Sequence, residues 1–136
     1  MREIVLASHG MFAEGAYDSA DMIVGCGNTK VRTYRLCPGG TATDFADELQ
    51  QEIVANPSTE YVILTDLYGA SVCNAMLPLS TYPNVKVFAG MNLCMVLEII
   101  MSDPEPLNEE RIEELILSAK ESIRCVKVEN TETEDF

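Results

Sequence analysis

The clearest strand signal in this chain is YVILT at residues 61–65, which runs directly into the polar turn DLYGAS at residues 66–71. A short run of apolar and β-branched side chains predicts a strand buried on both faces, as in a parallel sheet. Asp66 and Gly69 are turn residues, and Ser71 is a residue type that caps helices, here a helix predicted to run to residue 79. Polar groups are therefore expected at the carboxyl end of a central strand.

The same alternation of an apolar run and an amphipathic segment extends outward from this strand in both directions. The predicted strands cover residues 4–7, 31–36, 61–65 and 85–89, and a helical period of apolar residues follows each of them. This order predicts an α/β protein with three layers, in which helices cover both faces of a mostly parallel four-stranded sheet. The helix at residues 93–101 is apolar almost all round, and we expect it to be buried.

The end of the chain differs in composition from the rest. A last helix is predicted to begin at Asn108, residues 124–128 alternate as a final strand would, and residues 129–136 are an acidic tail. The chain length fits one domain, which we place at residues 1–128.

Composition excludes several classes of function. The net charge of −13 argues against nucleic acid and against an anionic membrane surface, and it suits a partner with a basic docking face. The first residues lack a signal-peptide layout and no apolar run is long enough to span a membrane, so we expect a cytoplasmic protein. Five scattered cysteines without a C-x-x-C pair predict neither disulfides nor a metal site. Nucleotide-binding motifs are missing, and no cofactor is expected.

One histidine, His9, follows the first strand in the tripeptide Ser8-His9-Gly10. Ligands of open α/β sheets bind at the carboxyl ends of the strands, so His9, Asp66 and Ser71 could meet there. Histidine can act as a nucleophile at neutral pH when a carboxylate holds its other ring nitrogen, and Asp66 suits that role. The residues alone leave other interpretations open: His9 as a structural hydrogen-bonding residue and Asp66 as an ordinary turn residue.

The turn at residues 66–71 is best suited to binding a phosphoryl group. Its oxygens need hydrogen-bond donors, which the backbone N–H groups at the start of the Ser71 helix and the Ser71 hydroxyl could supply. Gly69 and Ala70 keep the approach open, and Gly10 lets the chain turn sharply beside the ring.

Three segments together resemble a known family. They are IVLASHG at residues 4–10, LTDLYGASVCNA at residues 64–75 and AGMNLCMVLE at residues 89–98. In order and placement they resemble the enzyme IIA domain of the mannose family of the bacterial phosphotransferase system. The resemblance implies that His9 is phosphorylated by the phosphocarrier HPr and passes the group to a IIB component for sugar uptake. It implies that Asp66 holds the ring and that Ser71 lies at the phosphoryl site.

The resemblance also implies an assembly. Members of the family are typically homodimers whose last strand crosses onto the partner's sheet, which would give residues 124–128 a purpose and cover an open sheet edge. Association with the membrane components IIC and IID would be peripheral at most. This chain departs from the usual family pattern at three places. Met11 and Phe12 stand where the family has a tryptophan-like aromatic residue, GASV at residues 69–72 replaces Gly-Gly-Ser-Pro, and Cys94 replaces a proline.

Three other functions stay open. The similar domain that supplies phosphate to dihydroxyacetone kinase shares the fold and the histidine nucleophile. A regulatory binding module could keep the fold and lose transfer activity, as the changes at Ala70, Val72 and Cys94 would allow. A thiol-based redox domain could use Cys37 or Cys94.

Overall fold

A computed structural model describes residues 1–128, and the acidic tail predicted at residues 129–136 lies outside the described residues. Strands and helices alternate from the first strand to the fourth, as the apolar runs predict. The strands are β1 (Arg2–His9), β2 (Lys30–Leu36), β3 (Glu60–Thr65) and β4 (Val85–Phe88). The helices are α1 (Phe12–Val24), α2 (Thr43–Ala55), α3 (Ser71–Met76), α4 (Leu93–Ile100) and α5 (Glu109–Glu121), with a 3₁₀ turn at Leu77–Thr81.

The four strands form one parallel sheet in the order β2-β1-β3-β4. The α/β architecture with a parallel four-stranded sheet is therefore confirmed. Strand β1 lies between β2 and β3, so the chain crosses to one side after β1 and to the other side after β2. This reversal opens a crevice between the carboxyl ends of β1 and β3, which is where open α/β sheets bind ligands.

Two apolar cores cover the two faces of the sheet. Alternate residues of β1 and β3, such as Ile4 and Leu64, pack against α1, α4 and α5 on one face. The residues between them, such as Val5 and Ile63, pack against α2, α3 and the 3₁₀ turn on the other. All six residues of β3 are buried. The strand that contributes Asp66 is therefore held from both sides, which fixes the position of the turn that follows it.

Three predictions about helices need correction. The helix after Asp66 is shorter than expected, because Pro78 has no N–H to continue it and the chain tightens into the 3₁₀ turn. Ala70, not Ser71, occupies the N-cap position of α3, so the predicted cap is wrong. Helix α4 is fully buried only at Met95, Val96 and Ile99; Leu97 and Ile100 are partly buried against the same core, and Leu93 is exposed.

The predicted fifth strand does not form within the single chain. Residues 123–127 follow α5 without regular structure. The resemblance places this strand on the sheet of a second chain, so its pairing stays a prediction. Within residues 1–128 no helix is long and apolar enough to cross a membrane.

Candidate functional site

The carboxyl edge of the sheet, where β1, β2, β3 and β4 end, brings the predicted polar segments together. His9 is the last residue of β1, and Asp66 follows the last residue of β3. The loop after β4 reaches the same place, because Gly90 N–H donates to the Asp66 carbonyl at 2.9 Å and Met91 N–H donates to the Thr65 carbonyl at 3.0 Å. Backbone hydrogen bonds therefore tie the loop that follows β4 to the carboxyl end of β3.

The Asp66 carboxylate holds His9 in two ways. Its Oδ2 atom lies 2.7 Å from His9 Nδ1 and also accepts the His9 backbone N–H at 2.7 Å. Its Oδ1 atom accepts the Leu67 backbone N–H at 2.9 Å. The Asp66 side chain is 11% exposed, whereas the His9 side chain is 46% exposed. Asp66 is thus largely buried at the edge of the sheet, whereas the His9 ring that it holds faces solvent.

The charge state of Asp66 determines which ring nitrogen carries the hydrogen. Burial tends to raise the pKa of Asp66, but hydrogen bonds from the His9 backbone, the His9 ring and the Leu67 backbone outweigh it and leave the pKa lowered. Asp66 is therefore a carboxylate at neutral pH and can only accept hydrogen bonds. The hydrogen of the neutral ring must then lie on Nδ1, which leaves the lone pair on Nε2.

Ser71 faces this second nitrogen. Its hydroxyl oxygen lies 3.1 Å from His9 Nε2, so the hydroxyl can donate to the Nε2 lone pair. Although Ser71 does not cap α3, it is the first residue of that helix and its side chain points to the ring. One turn thus supplies a partner for each nitrogen of His9.

Two glycines shape the turns on either side of the ring. Gly10 has φ +52° and its N–H donates to the Leu36 carbonyl at 3.0 Å, which joins the end of β1 to the end of β2. Gly69 has φ +79°. A Cβ at either position would meet no atom within 4 Å, so the left-handed backbone, and not lack of space, is the reason for glycine.

Sequence reasoning missed Ser8 as a supporting residue. The Ser8 side chain is fully buried, and its hydroxyl oxygen accepts the Ala13 N–H at 2.7 Å. Met11, at the N-cap position of α1, has no such oxygen, so Ser8 satisfies a free N–H of the first turn in its place. The spacing of five residues is longer than that of an ordinary N-cap, so no local pattern signals this contact.

Among residues 1–128, no group of three or more His, Cys, Asp or Glu side chains is arranged to hold an ion.

Comparison with known proteins identifies the family. A family model for mannose-type EIIA domains, described as the PTS system fructose IIA component, matches residues 3–116. The chain therefore belongs to the IIA components of the sugar phosphotransferase system, a family of phosphotransferases, and within them to the mannose-type EIIA family.

Three relatives show the extent of the similarity. The sorbose-specific EIIA component of Klebsiella pneumoniae is 31% identical over 74% of this chain and 73% of its own length. The mannose-specific EIIAB component of Escherichia coli is 26% identical over 95% of this chain, which spans only 41% of that protein. The crystal structure of the EIIA component from Streptococcus agalactiae superposes with a TM-score of 0.78, at 29% identity over 92% of this chain and 97% of that one.

Proposed function

We propose that this protein accepts a phosphoryl group from phospho-HPr on Nε2 of His9 and passes it to a IIB component for sugar uptake. The observation that supports this most directly is the 2.7 Å contact between His9 Nδ1 and the Asp66 carboxylate. It leaves a lone pair on the half-exposed side of the only histidine in the chain. The family supports a role as a phosphoryl carrier.

The transfer step needs no separate base. Nε2 attacks phosphorus with its lone pair while the bond from phosphorus to the donor atom of HPr breaks, and that bonding pair stays with the donor. No proton leaves His9, because its hydrogen is on Nδ1. The ring becomes positively charged as the new bond forms, and the Asp66 carboxylate stabilises that charge as the acid of a catalytic triad does.

Ser71 gives the incoming group a hydrogen bond. The hydroxyl that faces Nε2 in the free protein has only to rotate toward a phosphoryl oxygen once Nε2 is occupied. The N–H groups of residues 71–73 in the first turn of α3 have no helical carbonyl to bind and add further donors. Phosphoryl transfer is catalysed mainly by such positioning and charge stabilisation.

The donor and acceptor proteins would dock around His9. Met11, Phe12, Leu67 and Tyr68 lie within three residues of His9 or Asp66 at the same edge, and all four side chains are exposed, Tyr68 by 89%. Exposed apolar side chains next to a reactive group are typical of a docking surface. The net charge of −13 favours a partner with a basic face.

A IIB component is the acceptor that the relatives favour. The Escherichia coli relative is named an EIIAB component, and this chain matches 41% of its length. A domain that supplies dihydroxyacetone kinase is the second candidate acceptor. The carrier would work in the cytoplasm and approach the membrane components IIC and IID only peripherally.

A homodimer would cover the open edge at β4. Beside this edge strand lies an open groove of about 500 Å³, whose lining includes Phe88, Met95, Ile116 and Ile123. The segment at residues 124–128 leaves from the rim of this groove, and Val126 is 83% exposed in the single chain. We therefore place residues 124–128 of a second copy along β4.

The carrier function is tested by incubating the protein with HPr, enzyme I and labelled phosphoenolpyruvate. We expect acid-labile phosphate on the wild-type protein and none on the His9→Ala variant. Phosphate that persists in His9→Ala, or is lost only when every cysteine is alkylated, would disprove the proposal. A wild-type protein that takes up no phosphate would instead be a binding module.

The acceptor and the dimer need separate measurements. Phospho-protein mixed with a IIB component should lose its label to that protein, whereas transfer to a dihydroxyacetone kinase instead would identify the second candidate. A solution mass of two chains for the wild type, and of one chain for Val126→Asp, would support the exchanged strand. A wild-type mass of one chain would contradict it.

A further inference from the structure

One loop supplies the partners for both nitrogens of the His9 ring. Asp66, at its beginning, binds Nδ1, and Ser71, at its end, lies against Nε2. The distance between these two side chains, and hence the angle at which each meets the ring, depends on the shape of residues 67–70. Any residue that fixes the shape of those residues therefore acts on the reaction without touching the phosphoryl group.

Asn74 binds this loop at two successive carbonyls. Its side-chain Nδ2 donates to the Gly69 carbonyl at 3.0 Å, and its backbone N–H donates to the Ala70 carbonyl at 2.9 Å. Among residues 1–128, Asn74 is the one residue whose side chain hydrogen-bonds the backbone of residues 68–70. Two further bonds lie within the loop, from the Ala70 N–H to the Leu67 carbonyl at 3.2 Å and from the Leu67 N–H to Asp66 Oδ1 at 2.9 Å.

The loop needs such support for two reasons. Gly69 has φ +79°, a backbone region that glycine enters and leaves easily, so its peptide groups are free to rotate unless a hydrogen bond holds them. The N-cap residue of α3 is Ala70, which has no side-chain acceptor to fix the entry into the helix. Asn74, one turn into the helix, reaches back and holds the loop from the other side.

We propose that Asn74 is a positioning residue for phosphoryl transfer, and that its amide holds the loop so that the Ser71 hydroxyl meets Nε2. The inference rests on the proposed function of His9. Asp66 keeps its place without Asn74, because the β4 loop and the His9 backbone bind it independently. Loss of the amide should therefore disturb the Nε2 side of the ring and spare the Nδ1 side.

Two variants test this role by kinetics. Asn74→Ala removes the side chain, and Asn74→Asp keeps its shape but replaces the donating amide with an acceptor. We expect both to lower the maximal rate of phosphate uptake from phospho-HPr by about tenfold, the usual effect of losing one aligned hydrogen bond. The KM for phospho-HPr should not change, because the exposed docking side chains remain.

A spectroscopic measurement tests the geometry directly. His9 is the only histidine in the chain, so a ¹⁵N spectrum of the ring contains one pair of signals. In Asn74→Ala the Nε2 signal should move toward its position in Ser71→Ala, and the Nδ1 signal should stay at its wild-type position. A merely structural residue would leave both signals in place in the folded protein.

Asn84 provides a matched control. Its side-chain Nδ2 also lies within hydrogen-bond distance of loop carbonyls, at 3.2 Å from Asn56 O and 3.0 Å from Thr59 O, but it lies at the opposite edge of the sheet. Asn84→Ala should lower stability without changing the maximal rate per folded molecule or the His9 signals.

Three results would overturn the role of Asn74. They are wild-type rates in both Asn74 variants, a raised KM with an unchanged maximal rate, and an Nε2 signal that does not move. If the wild-type protein itself takes up no phosphate, the proposed function fails, and the ring spectrum still tests whether Asn74 positions Ser71.

Discussion

A basic and an acidic side chain bridge strands β1 and β3 at each end, and the two pairs differ in every property that matters for reactivity. At the amino end, Arg2 Nε lies 2.6 Å from Glu60 Oε1, and both side chains are 7% exposed. At the carboxyl end, His9 Nδ1 lies 2.7 Å from Asp66 Oδ2, and the histidine is 46% exposed. The same two strands thus hold one buried pair and one open pair.

In the buried Arg2–Glu60 pair, which we call the closed pair, the other polar atoms of both side chains also have hydrogen-bond partners. The Arg2 guanidinium also donates to the carbonyls of Asp103 and Glu105, and Glu60 Oε2 accepts the Leu107 N–H. The pair fastens the segment before α5 to the sheet. In the open pair, Nε2 has only an exchangeable hydroxyl partner, Ser71. A buried ion pair that is saturated with partners stabilises structure, whereas an exposed neutral histidine that keeps a lone pair can act as a nucleophile.

Replacing Asp66, the acid that holds His9 in the open pair, should have the largest effect on the rate of phosphate uptake. Asp66→Asn can present an amide N–H to Nδ1, which would move the ring hydrogen to Nε2 and block the nucleophile. We expect phosphate uptake to fall by up to about 10⁴-fold, the cost of the corresponding change in a triad enzyme, while the fold is kept. Rapid-quench uptake from phospho-HPr measures this rate, and full activity would show that something else orients the ring.

A change in the Arg2–Glu60 pair should instead lower stability and leave the rate of phosphate uptake unchanged. Glu60→Gln leaves the Arg2 charge buried without its counter-ion, which typically costs about 3 kcal/mol of the free energy of unfolding. Urea unfolding would measure this loss. Uptake per folded molecule should equal that of the wild type, and a rate reduced as strongly as in Asp66→Asn would mean that the two ends do not have separate roles.

Substitution of Ser71 should have an intermediate effect on the rate of phosphate uptake. Ser71→Ala removes the hydroxyl at Nε2 and should slow uptake by about tenfold, because one hydrogen bond to a charged group is lost while the nucleophile and its acid remain. Ser80→Ala is the matched control, since that hydroxyl donates to the nearby Leu77 carbonyl at 2.7 Å. Equal rates for the two serine variants would remove Ser71 from the mechanism.

The smallest effect concerns acid stability. The pKa of Asp66 is lower in the folded protein than its ordinary value of 3.8, because hydrogen bonds to the carboxylate outweigh its burial. The ionised Asp66 carboxylate therefore stabilises the folded protein fully above pH 3.8, and this stabilisation is lost as the pH falls through the lower pKa of the folded state. The difference in unfolding free energy between wild type and Asp66→Asn should shrink over this acid range. A difference that is constant with pH would contradict the lowered pKa.

The parts of the site differ in how far the sequence predicts them. His9 and Asp66 could be placed at strand ends because each follows an apolar run that is recognisable by itself. Ser71 was expected at the site, but its predicted capping role is wrong because Ala70 occupies the N-cap. Asn74 and Ser8 went unnoticed, since their contacts depend on a loop shape and a turn that no short pattern encodes.

Local periodicity by itself determined the alternation of strands and helices, because side-chain burial repeats with the period of each element. The turn chemistry after residues 9 and 65 was also legible from neighbouring residues. Only the tertiary structure decided that β1 lies between β2 and β3, since this order depends on packing between distant segments. That order brings His9 and Asp66 within 2.7 Å at one end and Arg2 and Glu60 within 2.6 Å at the other.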